Sequence, residues 1–168
     1  MIEQEIDIPR LLNRRHYAAV EVLLIDLYCG AGTIGLSMAK KAKKLIGVEI
    51  IPQAIENAKE NAMLNDIDNA EFVCADASQA AKQLAERGTS PDVVVIDPPR
   101  KGCDNSVIEA IAVMSPKKIV YVSCDPETLA RDLKIFDSLG YSVEDVTPVD
   151  MFPRTSHVET VVLMSNNI

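Results

Sequence analysis

The run Asp26-Leu27-Tyr28-Cys29-Gly30-Ala31-Gly32-Thr33-Ile34-Gly35-Leu36 decides how this chain is read. The apolar stretch Leu23 to Tyr28 leads into it, and a helix-compatible pattern from Thr33 to Lys43 leaves it. Glycine reaches backbone conformations closed to other residues and lets main chain approach a ligand with no Cβ in the way. A strand, a glycine turn and a helix in that order aim backbone N–H groups and a helix N-terminus at a bound group. The spacing is GxGxxG (Gly30, Gly32, Gly35). Alone it suits NAD as well as other nucleotide cofactors, and it is also compatible with a plain packing turn.

Outward from this turn, apolar runs and helical patterns alternate. Strands are expected at Leu23–Tyr28, Lys44–Glu49, Ala70–Ala75, Asp92–Ile96, Lys118–Ser123, Ser142–Pro148 and Val158–Met164. Helices are expected at Thr33–Lys43, Pro52–Leu64, Ala77–Glu86, Asn105–Met114 and Pro126–Leu139. Several strands are rich in Val and Ile on both faces, as in a parallel sheet covered on both sides. Pro52 and Pro126 suit first-turn positions, and Gly140 suits a helix end. Five βα units followed by two strands with no helix between them predict an α/β fold. It should be a three-layer, Rossmann-like sandwich with a seven-stranded, mostly parallel sheet ending in an antiparallel hairpin.

The 168 residues are enough for one domain with a sizeable core, and a single domain over 1–168 is expected. Hydrophobic residues make up 48% and charged residues 25%, an ordinary globular composition. No apolar run approaches the roughly 20 residues that span a bilayer, so no membrane partner is expected. The acidic start Met1-Ile2-Glu3-Gln4-Glu5 lacks the order of a secretory signal, and a cytoplasmic setting is expected. Cys29, Cys74, Cys103 and Cys124 are scattered with no CxxC pair, which argues against a metal centre and against disulfides. The net charge is −8, opposite in sign to a phosphate-gripping surface. The one dense basic cluster, Lys40-Lys41-Ala42-Lys43-Lys44, is expected to end a helix, where cations suit the dipole.

Two acids give the glycine turn a meaning. Glu49 ends the second strand, placed to accept from ribose hydroxyls, and Asp76 follows the third, placed to accept from an adenine amino group. Ligands of open α/β sheets lie beyond the carboxyl ends of the strands, so these positions converge on an adenosine-containing cofactor. After the fourth strand comes Asp97-Pro98-Pro99-Arg100-Lys101-Gly102. An Asp-Pro-Pro there is unusual for a dehydrogenase but familiar in methyltransferases that handle flipped bases, where stiff backbone meets a planar substrate edge. Arg100 stands where amino-group methyltransferases carry an aromatic residue, so the target is not expected to be an exocyclic amine.

The fifth strand runs into Tyr121-Val122-Ser123-Cys124-Asp125-Pro126-Glu127-Thr128, and the C-terminal hairpin holds Asp150-Met151-Phe152-Pro153-Arg154-Thr155-Ser156-His157-Val158-Glu159. Taken with DLYCGAGTIGL and DPPRKG, these motifs resemble the RNA uracil-5-methyltransferase family, whose members modify ribosomal and transfer RNA. The resemblance covers about residues 22 to 165. It implies a fold of the S-adenosylmethionine (SAM)-dependent methyltransferases, SAM as cofactor and S-adenosylhomocysteine as product. The cofactor residues it implies, with the glycine turn, are Asp26, Tyr28, Gly30, Gly32, Thr33, Glu49, Asp76 and Asp97. It implies Cys124 as nucleophile, Glu159 as the base that removes a proton, and Asp97 and Arg100 as holders of the uracil. The reaction expected is methylation of carbon 5 of uridine in RNA (rRNA or tRNA) through a cysteine adduct at carbon 6, because a thiolate can activate a poor carbon nucleophile by transient addition.

Two departures from the family qualify this expectation. Asp125 replaces the usual asparagine, and a carboxylate beside a thiol disfavours the thiolate. Members also carry a small RNA-binding β-barrel, absent from these 168 residues, while residues 1–21 diverge from the family. An isolated or truncated catalytic domain with weak RNA binding is therefore expected. The competing readings are a SAM-binding remnant without catalysis, separable by SAM binding without turnover, and a methyltransferase acting on another nucleobase or a protein, separable by product analysis. Cys29, Cys74 and Cys103 are expected to be structural, His157 to shape its turn, and His16 to lie at the surface.

Overall fold

The computed structural model describes residues 22–151, Arg154 and residues 158–167. The strands are β1 (Leu23–Leu27), β2 (Lys44–Glu49), β3 (Ala70–Cys74), β4 (Val93–Ile96), β5 (Lys118–Ser123), β6 (Tyr141–Val149) and β7 (Glu159–Asn166). The helices are α1 (Thr33–Ala39), α2 (Pro52–Leu64), α3 (Ala77–Glu86), α4 (Asn105–Met114) and α5 (Pro126–Ser138). They form one seven-stranded sheet in the order β3-β2-β1-β4-β5-β7-β6. The β1–β5 pairs are parallel, and β7 runs antiparallel to both β5 and β6. This is the sandwich with a terminal hairpin that the alternation predicts.

Helices cover both faces. Against one, α3, α4 and α5 bury Ala81, Val107, Ile108, Ile111, Leu129 and Phe136 on Ile25, Leu27, Val94, Ile96, Ile119 and Tyr121. Against the other, α1 and α2 bury Leu36, Met38, Ala39 and Ala62 on Leu24, Leu45, Val93 and Val95. All four residues of β4 are buried, which is why the strand reads Val-Val-Val-Ile without alternation. Each such side chain contributes about 1.5–3 kcal/mol on leaving water.

The ends of the elements follow local chemistry. Asp76 and Asp125 cap α3 and α5, and Pro52 and Pro126 stand in the first turns of α2 and α5. Gly140 takes a left-handed φ of 94° after α5, as its placement at a helix end requires. Two expectations need correction. First, α1 stops at Ala39 rather than Lys43, so Lys40–Lys43 form a turn and Lys44 opens β2. The carbonyls of Ala39 and Ala42 accept from the Asn69 side chain at 2.9 and 2.7 Å, which substitutes for further helix. Secondly, Cys74 is exposed, because β3 is an edge strand.

The chain order positions the site. From β1 the sheet grows outward through β2 to β3, then returns to place β4 on the other side of β1. The carboxyl ends of β1 and β4 therefore flank the point where the winding reverses, the usual seat of a ligand in such sheets.

Candidate active site

Strand β1 ends at Leu27 because Tyr28 adopts φ 68°, a left-handed conformation costly for an aromatic residue and out of register with a strand. Gly30 and Gly32 follow with φ 53° and 83°. A Cβ on Gly30 would meet nothing within 4 Å, so this glycine faces open space above the sheet. A Cβ on Gly35 would lie 2.7 Å from the Asp26 carboxylate, so that glycine is there for packing. Thr33 is exposed at the first position of α1.

The acids around this turn are partly engaged. Glu49 Oε2 accepts from the Gly30 N–H at 3.1 Å, and Oε1 accepts from the N–H groups of Ile50 and Ile51 at 2.8 and 3.0 Å. Both bonds to the Asp76 carboxylate, from Ser78 and Gln79 N–H, fall on Oδ1. A carboxylate offers about four acceptor positions, so each acid retains capacity for a ligand. Asp26 is buried; its Oδ2 accepts from Gly35 N–H at 2.9 Å, whereas its Oδ1 has no partner among the described residues. Burial, reinforced by the charges of Asp97 and Glu49, pushes its carboxyl up to about 7.

On the other side of the switch point, the carboxyl ends of β4 and β5 meet the amino end of the antiparallel β7. The β4–β5 register runs to Ile96 opposite Tyr121, and Asp97 follows one step on. The β5–β7 register runs to Ser123 opposite Thr160, and Cys124 and Glu159 are the next residues outward on the two chains. Desolvation, reinforced by the Glu159 charge, pushes the Asp97 carboxyl up to about 6, although the side chain is exposed at the strand end. Glu159 is itself raised by desolvation. Arg100 is exposed on the loop that follows Asp97.

Cys124 sits on a short, pinned turn. Ser123 Oγ donates to the Asp125 carbonyl at 3.0 Å and accepts from the Asp125 N–H at 3.1 Å, bracketing the cysteine from both sides. The thiol is half-buried and free. Burial pushes the Cys29 and Cys103 thiols up to about 12, so both are poor thiolate candidates. His157, Phe152 and Pro153 lie outside the described residues, as do His16 and the 1–21 segment. Among the described residues, no group of three or more His, Cys, Asp or Glu side chains is arranged to hold a metal ion. A separate cleft of about 650 Å³, lined by Leu23, Lys43, Asn69 and Asp92 among others, opens at the amino ends of the strands, away from these groups.

The sequence reading missed two sets of supports. Asn61 of α2 donates to the Ala31 carbonyl at 3.0 Å and braces the glycine turn. Asp132 of α5 is fully buried and accepts from Tyr121 Oη and Cys103 N–H at 2.6 and 2.8 Å. Its signal was in the pattern Leu129, Asp132, Leu133, Phe136, which sets one acid in an apolar helical stripe.

A glycine turn, acceptors at successive strand ends and this strand order together define a Rossmann-like methyltransferase fold. The chain belongs to the tRNA (uracil-5-)-methyltransferase family, whose model matches residues 16–167. It is 58% identical over 142 residues to an uncharacterised RNA methyltransferase of Clostridium acetobutylicum, covering 84% of this chain and 31% of that relative. A relative from Clostridium tetani is 55% identical over 143 residues, covering 85% and 31%. The chain thus spans about a third of the length of these curated relatives. Among solved structures, it superposes on the tRNA (uracil-54, C5)-methyltransferase of Pyrococcus abyssi in complex with S-adenosyl-L-homocysteine. That match has TM-score 0.77 and 35% identity, and covers 96% of this chain and 38% of that one. Likeness to a magnesium protoporphyrin IX methyltransferase from Synechocystis extends to the fold alone, with TM-score 0.74 at 15% identity, covering 98% of this chain and 83% of that one. No helix of the described residues is long and apolar enough to cross a membrane.

Proposed function

We propose that this chain is the catalytic unit of an enzyme that methylates carbon 5 of uridine in RNA, using SAM, through a transient bond between Cys124 and the pyrimidine. The observation that carries this reading is the convergence of Cys124, Glu159 and Asp97 at the ends of β5, β7 and β4, next to the glycine turn. The cofactor end suits SAM in charge and hydrogen-bonding capacity. Open space at Gly30, the unpartnered Asp26 Oδ1 and the carboxylates of Glu49, Asp76 and Asp97 suit a ligand with hydroxyl and amine donors and cationic centres. Tyr28, Gly32 and Thr33 complete that wall. Bound SAM supplies an electrophilic methyl group and departs as S-adenosylhomocysteine.

The protein's own residues supply the rest. Addition of the Cys124 thiolate to carbon 6 of uracil shifts the C5–C6 π electrons toward carbon 5 and O4, which makes carbon 5 nucleophilic. Asp97 accepts from an N–H on the uracil edge, while Arg100 donates to its oxygens and steadies the oxyanion. Once carbon 5 carries its methyl group, Glu159 takes the remaining proton there. That C–H electron pair re-forms the double bond, and Cys124 leaves carbon 6 as a thiolate. With a net charge of −8, the chain offers phosphates little attraction, so RNA affinity by this chain alone is expected to be weak.

Cys124→Ala tests the assignment. Nucleoside analysis of RNA incubated with the variant and SAM should show no 5-methyluridine, while calorimetry should give SAM affinity within about threefold of the parent, since the thiol lies outside the cofactor turn. Retained product formation would refute the nucleophile. A changed target, such as a methylated amine or a methylated protein, would refute the reaction.

A further inference from the structure

We propose that Asp132, with Thr128 and Arg131, is a positioning residue that clamps the 97–103 loop onto the helix whose N-terminus follows Cys124. The kinetic half of this inference rests on the reading of Cys124 as the nucleophile; the geometric half does not.

The three side chains sit at helical spacing i, i+3, i+4 on α5 and so share one face. Each holds a different point of the loop. Thr128 Oγ1 donates to the Arg100 carbonyl at 3.1 Å, and Arg131 Nη2 donates to the Lys101 carbonyl at 2.9 Å. Asp132 Oδ2 accepts from the Cys103 N–H at 2.8 Å. The same oxygen accepts from Tyr121 Oη at 2.6 Å, which ties the clamp to the strand that ends in the Cys124 turn. Asp132 Oδ1 accepts from Arg131 Nε at 2.8 Å. With Arg131 Nη2 also 2.7 Å from Oδ1, four donors surround a carboxylate with no solvent exposure. Loss of any one of these donors would leave a buried carboxylate oxygen short of a partner, which is costly.

Gly102 shows how close the fit is. Its φ is 78°, and an added Cβ would lie 2.5 Å from both Asp132 Oδ2 and Arg131 Nη2. The glycine that ends Asp97-Pro98-Pro99-Arg100-Lys101-Gly102 is therefore required by the clamp. The loop closes on itself as well, with Gly102 N–H donating to the Pro99 carbonyl at 2.8 Å. Asp97 and Arg100 ride on this loop, and Cys124 precedes the helix that grips it. One rigid helix consequently fixes the distance between the thiol and the groups that hold the pyrimidine, and an error of about 1 Å there can cost about 100-fold in rate.

The test uses Asp132→Asn, which keeps shape but turns one acceptor into a donor, and Thr128→Val, which removes the grip on the Arg100 carbonyl and leaves the donors to Asp132 in place. An RNA with a single 5-fluorouridine traps the adduct, because fluorine cannot leave carbon 5 as a proton. In both variants the adduct should form at least about tenfold more slowly at saturating RNA, with the half-saturating RNA concentration and SAM affinity within about threefold of the parent. A rate unchanged in both variants would overturn the proposal, as would a loss confined to SAM affinity. The Cys103 amide should also exchange about 100-fold faster in Asp132→Asn, while the β4 and β5 amides keep their protection. Equal protection of that amide in parent and variant would overturn the clamp itself. Absence of adduct in the parent would instead count against the proposed function, leaving the clamp to be judged on exchange alone.

Discussion

Glu159 and Asp97 come from strands far apart in the chain, yet the charge of one reaches the carboxyl of the other. That coupling gives the arrangement a direct signature. In Glu159→Gln the negative neighbour is gone, so Asp97 should titrate below its value of about 6 in the parent, which carboxyl carbon NMR can follow. An unmoved Asp97 would mean that the two carboxylates do not share a site. Both residues belong to motifs that the sequence displays, since Asp97 opens DPPRKG and Glu159 closes DMFPRTSHVE. Their convergence was not legible there, because it depends on β7 inserting between β5 and β6. Asp132 was harder to see. Only the helical period marks it as buried, and a lone acid in such a stripe says nothing of the partners it will meet.

Helix α5 joins chemistry to architecture. From charge alone, an acid at position 125 is expected to burden the adjacent thiol. The structure gives that carboxylate another task, since Asp125 Oδ1 accepts from the N–H groups of Glu127 and Thr128, both at 3.0 Å. Asparagine caps helices as well as aspartate does, so the departure from the family pattern preserves this turn. Asp125→Asn should therefore change unfolding stability by no more than about 0.5 kcal/mol, whereas Asp125→Ala should cost about 1 kcal/mol in urea denaturation. Equal stability of the alanine variant would show that the cap contributes nothing. Most element bounds followed the sequence signals, notably prolines in first turns and Gly140 after α5. The exception, α1, ends early where Asn69, about thirty positions away, bonds the carbonyl of its last residue, Ala39, and that of Ala42 in the turn beyond. No local pattern announces such a partner.

For the molecule as a whole, burying an acid beneath the glycine turn has a thermodynamic consequence. Asp26 has its folded-state carboxyl pushed from 3.8 up to about 7. The folded protein therefore binds a proton more tightly there than the unfolded chain does. The associated stability is fully present below about pH 4 and is lost as pH rises toward 7. Asp26→Asn keeps an acceptor for the Gly35 N–H and removes this titration. Compared at pH 5 and pH 7.5, the parent should lose more unfolding free energy than the variant, by an amount on the order of 2 kcal/mol. Parallel losses in the two proteins would show that Asp26 does not titrate in this window. The order β3-β2-β1-β4-β5-β7-β6 itself was readable only as a class, from alternation and a terminal pair of strands. Which strand β4 would join was set by long-range packing that no local period records.

The central claim is that the half-buried sulfur of Cys124 forms a bond to carbon 6 of a uracil. Incubating the chain with SAM and a 5-fluorouridine RNA, then mapping the modified peptide by mass spectrometry, tests it most directly. The account predicts a stable mass increase on the peptide containing Cys124, with Cys29, Cys74 and Cys103 unmodified. Methylated uridine in a parallel normal RNA with no adduct on Cys124, or an adduct on another cysteine, would contradict it.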